Sequence, residues 1–125
     1  LAGFVADSEL CDYYNLCDVF AMPSKLEGFG IVYLEALACS KPVLGGNQDG
    51  AVDALCNGKL GALVNPDDSQ EIVQTLIQML TKEYSHPLMY QPQLLRQAVI
   101  DTYGFDAFEQ RLSVLLTQAS VSLSA

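Results

Sequence analysis

The sequence predicts an α/β fold built on a parallel sheet, on three observations. Short apolar runs alternate with helical segments, the order that parallel β-α units produce. Those runs are continuous rather than alternating, as in strands covered on both faces. Loops rich in glycine follow two of them, at residues 23–30 and 45–50. In such sheets these loops lie beyond the carboxyl ends of the strands, where ligands bind.

Residues 2–5 (AGFV) read as a short buried strand. Ser8 is placed to cap a helix over 9–16, with Glu9 in its first turn. Leu10, Tyr13, Tyr14 and Cys17 would form its inward stripe. Residues 18–22 (DVFAM) read as a second strand, stopped by Pro23. A short apolar helix follows the glycine turn at 28–30. Residues 42–44 make a third strand and 45–50 the loop after it. A helix over 51–56 ends in Asn57-Gly58, a C-cap signal. Residues 61–65 (GALVN) are a fourth strand. Pro66, Asp67, Asp68 and Ser69 then open an amphipathic helix over 70–83, with Ile72, Val73, Leu76, Ile77 and Leu80 at helical spacing. After the break at His86-Pro87, helices are expected near 91–102 and 105–119. The last would carry Phe105, Phe108, Leu112, Leu115, Leu116 and Ala119 on one face, with Phe105, Phe108 and Leu112 either in ordinary core packing or in contact with a further domain. Neither a repeat nor a low-complexity linker interrupts the chain.

A length of 125 residues suggests one domain at most. The net charge of −9, from 6 basic against 15 acidic residues, opposes nucleic acid and anionic membranes. The sequence has no apolar run long enough to span a bilayer and no signal-peptide pattern. Its start, LAGFV without an initiator methionine, reads as a truncation. Cys11, Cys17, Cys39 and Cys56 lack C-x-x-C spacing and His86 is the lone histidine, so no metal site is expected. Each cysteine sits within or beside an apolar segment, which suits reduced thiols in a reducing compartment.

The chemistry concentrates in residues 23–42, PSKLEGFGIVYLEALACSKP. Gly28 and Gly30 bracket Phe29, and glycine lets backbone approach a ligand and take positive φ. The first amides of the helix that follows, around residues 30–32, lack intrahelical acceptors and carry the positive dipole end, so they suit an anion. Gly-x-Gly alone is a weak signal. Glu35 adds to it, as the only charged residue between Gly28 and Ser40. A helix starting near Gly30 puts it roughly 7–8 Å along the axis. At that depth it either meets a ribose whose diphosphate sits at the helix start, or marks the solvent edge. Glu27 either accepts from sugar hydroxyls or complements the helix end. Lys25 could screen phosphate charge but reads more simply as a surface lysine.

The stretch resembles the signature of retaining glycosyltransferases of family 4, which have the GT-B fold. The matching residues are Pro23-Ser24, Glu27 to Gly30, Glu35-Ala36, Ala38 and Lys41-Pro42-Val43, the two glutamates eight positions apart. GFVAD at 3–7, DVF at 18–20 and GALVNPDD at 61–68 agree with the family pattern. The likeness runs from residue 1 to about 82. It implies a parallel-sheet, Rossmann-like, partial C-terminal domain of a GT-B glycosyltransferase over 1–82, with a C-terminal helical region of the same domain at 83–125. It further implies that Glu27 contacts donor-sugar hydroxyls as the residue nearest catalysis. The turn of Gly28, Phe29, Gly30 and Ile31 would hold the diphosphate through backbone amides, and Glu35 the nucleotide ribose. The implied reaction is transfer of a hexose from a UDP-, GDP- or ADP-sugar to an acceptor, with retention at the anomeric carbon. No cofactor or obligatory metal is implied, and the implied location is the cytoplasm, with peripheral membrane contact open for the full-length protein.

The resemblance also implies parts this chain lacks. Two earlier β-α units, with an Arg and a Lys that grip the diphosphate, would precede it, as would an N-terminal acceptor domain. The chain alone is therefore expected to be inactive and to bind donor weakly. The absent strands would sit between 2–5 and 18–22, so 2–5 is expected to be displaced, frayed or paired with another copy through an exposed edge. Two other readings stand beside this one: a non-catalytic nucleotide-sugar-binding module, and a GT-B-fold sugar-nucleotide epimerase, which needs no acceptor.

Overall fold

The computed structural model describes residues 3–123, with side chains as far as residue 118. Its elements are α1 (Asp7–Asn15), β1 (Phe20–Met22), α2 (Ile31–Ala38), β2 (Val43–Gly46), α3 (Ala51–Ala54), β3 (Ala62–Val64), α4 (Ser69–Leu80), a 3-10 turn (Pro87–Tyr90), α5 (Pro92–Tyr103) and α6 (Phe105–Leu123). The three strands form one parallel sheet in the order β1-β2-β3. Phe20 pairs with Val43, and Leu44 with Ala62.

The sheet is covered on both faces, as its continuous apolar strands require. Val43 faces one core with Tyr33, Ala36 and Leu37 of α2, Ala51 and Ala54 of α3, and Leu95 and Val99 of α5. Leu44, Ala62 and Val64 face the other with Met79 of α4 and Met89 of the 3-10 turn. Adjacent positions of β2 thus serve opposite layers, the period-two alternation of a strand.

Several boundaries differ from the sequence reading. Ala2 lies outside the described residues, and 3–5 are not a strand. Gly3 turns to φ +71° and Phe4 is 96% exposed. Among the described residues β1 pairs only with β2, and this segment does not add to its other edge. Helix α1 begins at Asp7 with Ala6, not Ser8, at its N-cap and no side-chain cap. Tyr14 is its one buried residue, and Tyr13 of the expected stripe is exposed. Strand β2 runs on to Gly46, taking two residues from the expected loop. Helix α3 ends at Ala54, and Cys56, Asn57 and Gly58 all take positive φ, so the C-cap signal becomes a longer left-handed exit.

Helix α4 starts at Ser69 because Asp68 caps it, accepting from the amides of Gln70 and Glu71, each at 3.0 Å. Its buried positions are Thr75 and Met79, while Val73, Ile77 and Leu80 of the expected inward stripe are exposed. Asp68→Ala is expected to cost about 1 kcal/mol, read as a lower midpoint in chemical denaturation. An unchanged midpoint would mean that the cap is not needed.

The largest correction is α6. It packs against α5. Phe105, Phe108, Leu112, Leu115 and Leu116 are exposed rather than in a core. Ala119, the sixth residue of that expected face, lies beyond the described side chains. Helical spacing identifies an amphipathic helix but not whether its partner is in the same chain. Among the described residues, no helix is long and apolar enough to cross a membrane.

Candidate functional site

Two loops at the carboxyl ends of β1 and β2 meet and build the site. The loop of residues 23–30 leaves β1 and enters α2 through Gly30, whose φ of +82° and ψ of +62° put the N-cap in the left-handed region. A side chain there would be strained, and its Cβ would run into the Tyr33 ring. Glycine is thus required at this corner on two counts. Tyr33 backs it further by donating from its hydroxyl to the Met22 carbonyl at 2.7 Å, which ties α2 to the end of β1.

The loop of residues 47–50 braces the first loop. Asp49 Oδ2 accepts from the Glu27 amide at 2.9 Å, and Oδ1 accepts from the Ala51 amide at 3.0 Å. The Gly50 amide donates to the Glu27 carbonyl at 2.9 Å. A Cβ on Gly50 would collide with the Gly28 carbonyl, so the backbones touch directly. From the far side, the Phe29 ring meets Tyr103 at the end of α5, edge to face with centroids 5.8 Å apart. Tyr103 in turn donates to the Asp53 carbonyl at 2.7 Å.

This bracing fixes a turn whose amides point to no protein acceptor. Tyr33 is the first α2 residue to find one, the Gly30 carbonyl at 3.0 Å, which leaves the amides of Phe29, Gly30, Ile31 and Val32 unpaired among the described residues. A run of free amides at a helix start is an anion cradle. Gly28, Phe29 and Ile31 are exposed around it. The flanking carboxylates are Glu27, half-buried before the turn, and Glu35, half-buried and fifth in α2. The Tyr33 hydroxyl is pushed up to about 12, first by burial and then by the negative charges of Asp49 and Glu27. It therefore remains a protonated donor at neutral pH.

Glu35 is not a free solvent-edge residue. Its Oε2 accepts from the Tyr14 hydroxyl at 2.8 Å. The ordinary reading of Lys25 holds, since it pairs with Asp67. Lys41 donates to the Asn15 carbonyl at 3.2 Å, away from the turn. Among the described residues, no three His, Cys, Asp or Glu side chains gather to hold a metal ion. Sequence reasoning missed Asp49, Tyr103 and Tyr14. Asp49 was findable, because an Asp ahead of Gly-Ala in a ligand-edge loop favours such a turn. The two tyrosines act from distant helices, which no local spacing reveals.

A family model matches the part of the chain that holds this site. Residues 1–93 match the family model of glycosyl transferases group 1. The chain is 40% identical over 81 residues to a serotype-specific mannosyltransferase, WbdA, of Escherichia coli, covering 65% of this chain and 10% of that protein. It is 39% identical over 79 residues to a GDP-mannose-dependent alpha-(1-6)-phosphatidylinositol monomannoside mannosyltransferase of Mycolicibacterium smegmatis, covering 58% of this chain and 21% of that one. The chain thus spans only a small part of these relatives' length. Its structure resembles Anabaena Alr3699/HepE, crystallised in complex with UDP, with a TM-score of 0.67 and 23% identity over 85% of this chain and 29% of that one. At that identity the likeness speaks to the fold.

Proposed function

The chain belongs to the glycosyl transferases group 1 family, and from that premise we propose that it is the donor-binding portion of a retaining hexosyltransferase. The observation that carries the proposal is the braced turn, with four unpaired amides at the start of α2 between Glu27 and Glu35. In this reading the amides of Phe29, Gly30 and Ile31 receive the diphosphate, and Gly28 and Gly30 keep the backbone open to it. Glu35 accepts from the ribose hydroxyls, and Glu27 from hydroxyls of the sugar. The helix start stabilises the charge that develops on the leaving diphosphate, an arrangement needing no reorganisation during reaction. Lys25 and Lys41 are engaged by Asp67 and the Asn15 carbonyl, and in this reading the complete protein supplies the basic groups that grip the diphosphate. The isolated chain therefore binds donor weakly and does not turn over.

The relatives' names put mannose first among the sugars to test and GDP beside UDP among the nucleotides. A donor screen on the complete protein, scoring UDP-, GDP- and ADP-sugars for hydrolysis and transfer, tests the reading. Acceptor-dependent transfer with one donor class supports it, while conversion of the nucleotide sugar without acceptor would favour an epimerase. Glu35→Ala is expected to weaken nucleoside diphosphate binding about tenfold, the effect of losing a hydrogen bond to a charged group. It should cost about 1 kcal/mol of stability, because the Tyr14 hydroxyl loses its acceptor. Unchanged affinity in a titration calorimeter would remove Glu35 from the site.

A further inference from the structure

We propose that Tyr14 is the positioning residue of the donor site, holding the Glu35 carboxylate in the orientation that receives the ribose hydroxyls; this rests on the ribose reading of Glu35 given above.

Tyr14 lies on a different element from the turn and is the sole buried residue of α1. Its hydroxyl is the one protein group hydrogen-bonded to the Glu35 carboxylate among the described residues, at 2.8 Å on Oε2. Oε1 has no protein partner there. A glutamate side chain has three rotatable bonds, so one bond to a fixed hydroxyl removes much of its freedom before ligand arrives. The carboxylate offers about four lone-pair directions, so a Tyr14 bond leaves room for two ribose hydroxyls.

The hydroxyl is itself fixed. The Tyr14 ring meets Phe20 edge on, centroids 5.5 Å apart, and Phe20 meets Tyr33 at 6.1 Å. Tyr33 is the ring against which Gly30 turns, and its own hydroxyl is bonded to the Met22 carbonyl. One aromatic row thus references both the diphosphate corner and the ribose carboxylate to strand β1. The Tyr14 hydroxyl is raised well above its ordinary range, first by burial and then by its bond to Glu35, so it donates at every physiological pH. A neutral, permanent donor orients the carboxylate without cancelling its charge.

The test uses the complete protein and whichever of UDP, GDP and ADP binds it most tightly, together with the 2′-deoxy and 3′-deoxy forms of that nucleotide. Affinities are measured for wild type, Tyr14→Phe and Glu35→Ala, with a thermal midpoint for each. Wild type should favour the ribonucleotide over either deoxy form by about tenfold, the effect of one hydrogen bond to a charged group. Tyr14→Phe keeps the ring and should reduce that preference to about twofold while binding the deoxy forms almost as wild type does. Glu35→Ala should abolish the preference. If Glu35→Ala abolishes it but Tyr14→Phe leaves it intact, or weakens ribo and deoxy forms alike, Tyr14 is structural only and the ribose reading survives. If Glu35→Ala leaves the preference untouched, the ribose reading fails and the positioning role with it. Failure of Tyr14→Phe to fold would mark the hydroxyl as a stability element and overturn the assignment.

Discussion

Gly30→Val is expected to abolish nucleoside diphosphate binding and to destabilise the domain by about 2–5 kcal/mol. The left-handed conformation at Gly30, φ +82°, costs an L-residue about 1–2 kcal/mol. Placing a branched side chain against the Tyr33 ring adds an overpacking cost of about 1–3 kcal/mol. Neither cost is relieved cheaply, since Tyr33 is fully buried and its hydroxyl is tied to the Met22 carbonyl. Relief by shifting the turn would move the amides of Phe29 and Ile31 off the diphosphate. Chemical denaturation and a nucleotide titration read the two effects separately. A variant as stable as wild type and binding normally would show that this corner is not the anion cradle.

Glu27→Ala in the complete protein is expected to lower kcat by about 10–100-fold, the range for a lost charge-assisted hydrogen bond to the reacting sugar. Affinity for the free nucleoside diphosphate should change far less. The backbone of Glu27, not its carboxylate, holds the turn: its amide donates to Asp49 and its carbonyl accepts from Gly50. Alanine preserves both bonds, so the substitution tests side-chain chemistry with the loop intact. Equal losses of nucleotide and nucleotide-sugar binding would contradict a sugar-hydroxyl contact.

The sequence disclosed those features whose cause is local. Continuous apolar strands, the Asp68 region at a helix start and the glycine turn between two glutamates depend on neighbours within a few positions. The structure brings the turn of 23–30 and the loop of 45–50 together, as the parallel-sheet reading requires. What stayed illegible depends on contacts far apart in the chain. Residues 3–5 have strand-like composition but are not a strand among the described residues. The exposed Phe105, Phe108 and Leu112 have helical spacing but no buried surface opposite them. On α4 the helical spacing marks Ile77 as inward, whereas Met79 is the buried residue. Glu35 was legible as an anomaly, a lone charge in an apolar helix. Its partner was not, because Tyr14 lies 21 residues earlier on another helix.

The arrangement divides the work between layers. Buried aromatics set the geometry, and Asp49 and Gly50 press the turn into shape. In the proposed reading the unpaired amides and the two glutamates receive the ligand.

The most direct measurement is a crystal structure of the complete protein with its tightest-binding nucleoside diphosphate. The account predicts phosphate oxygens within hydrogen-bond distance of the Phe29, Gly30 and Ile31 amides and ribose hydroxyls on the Glu35 carboxylate. A diphosphate bound elsewhere, with those amides facing solvent alone, would contradict it.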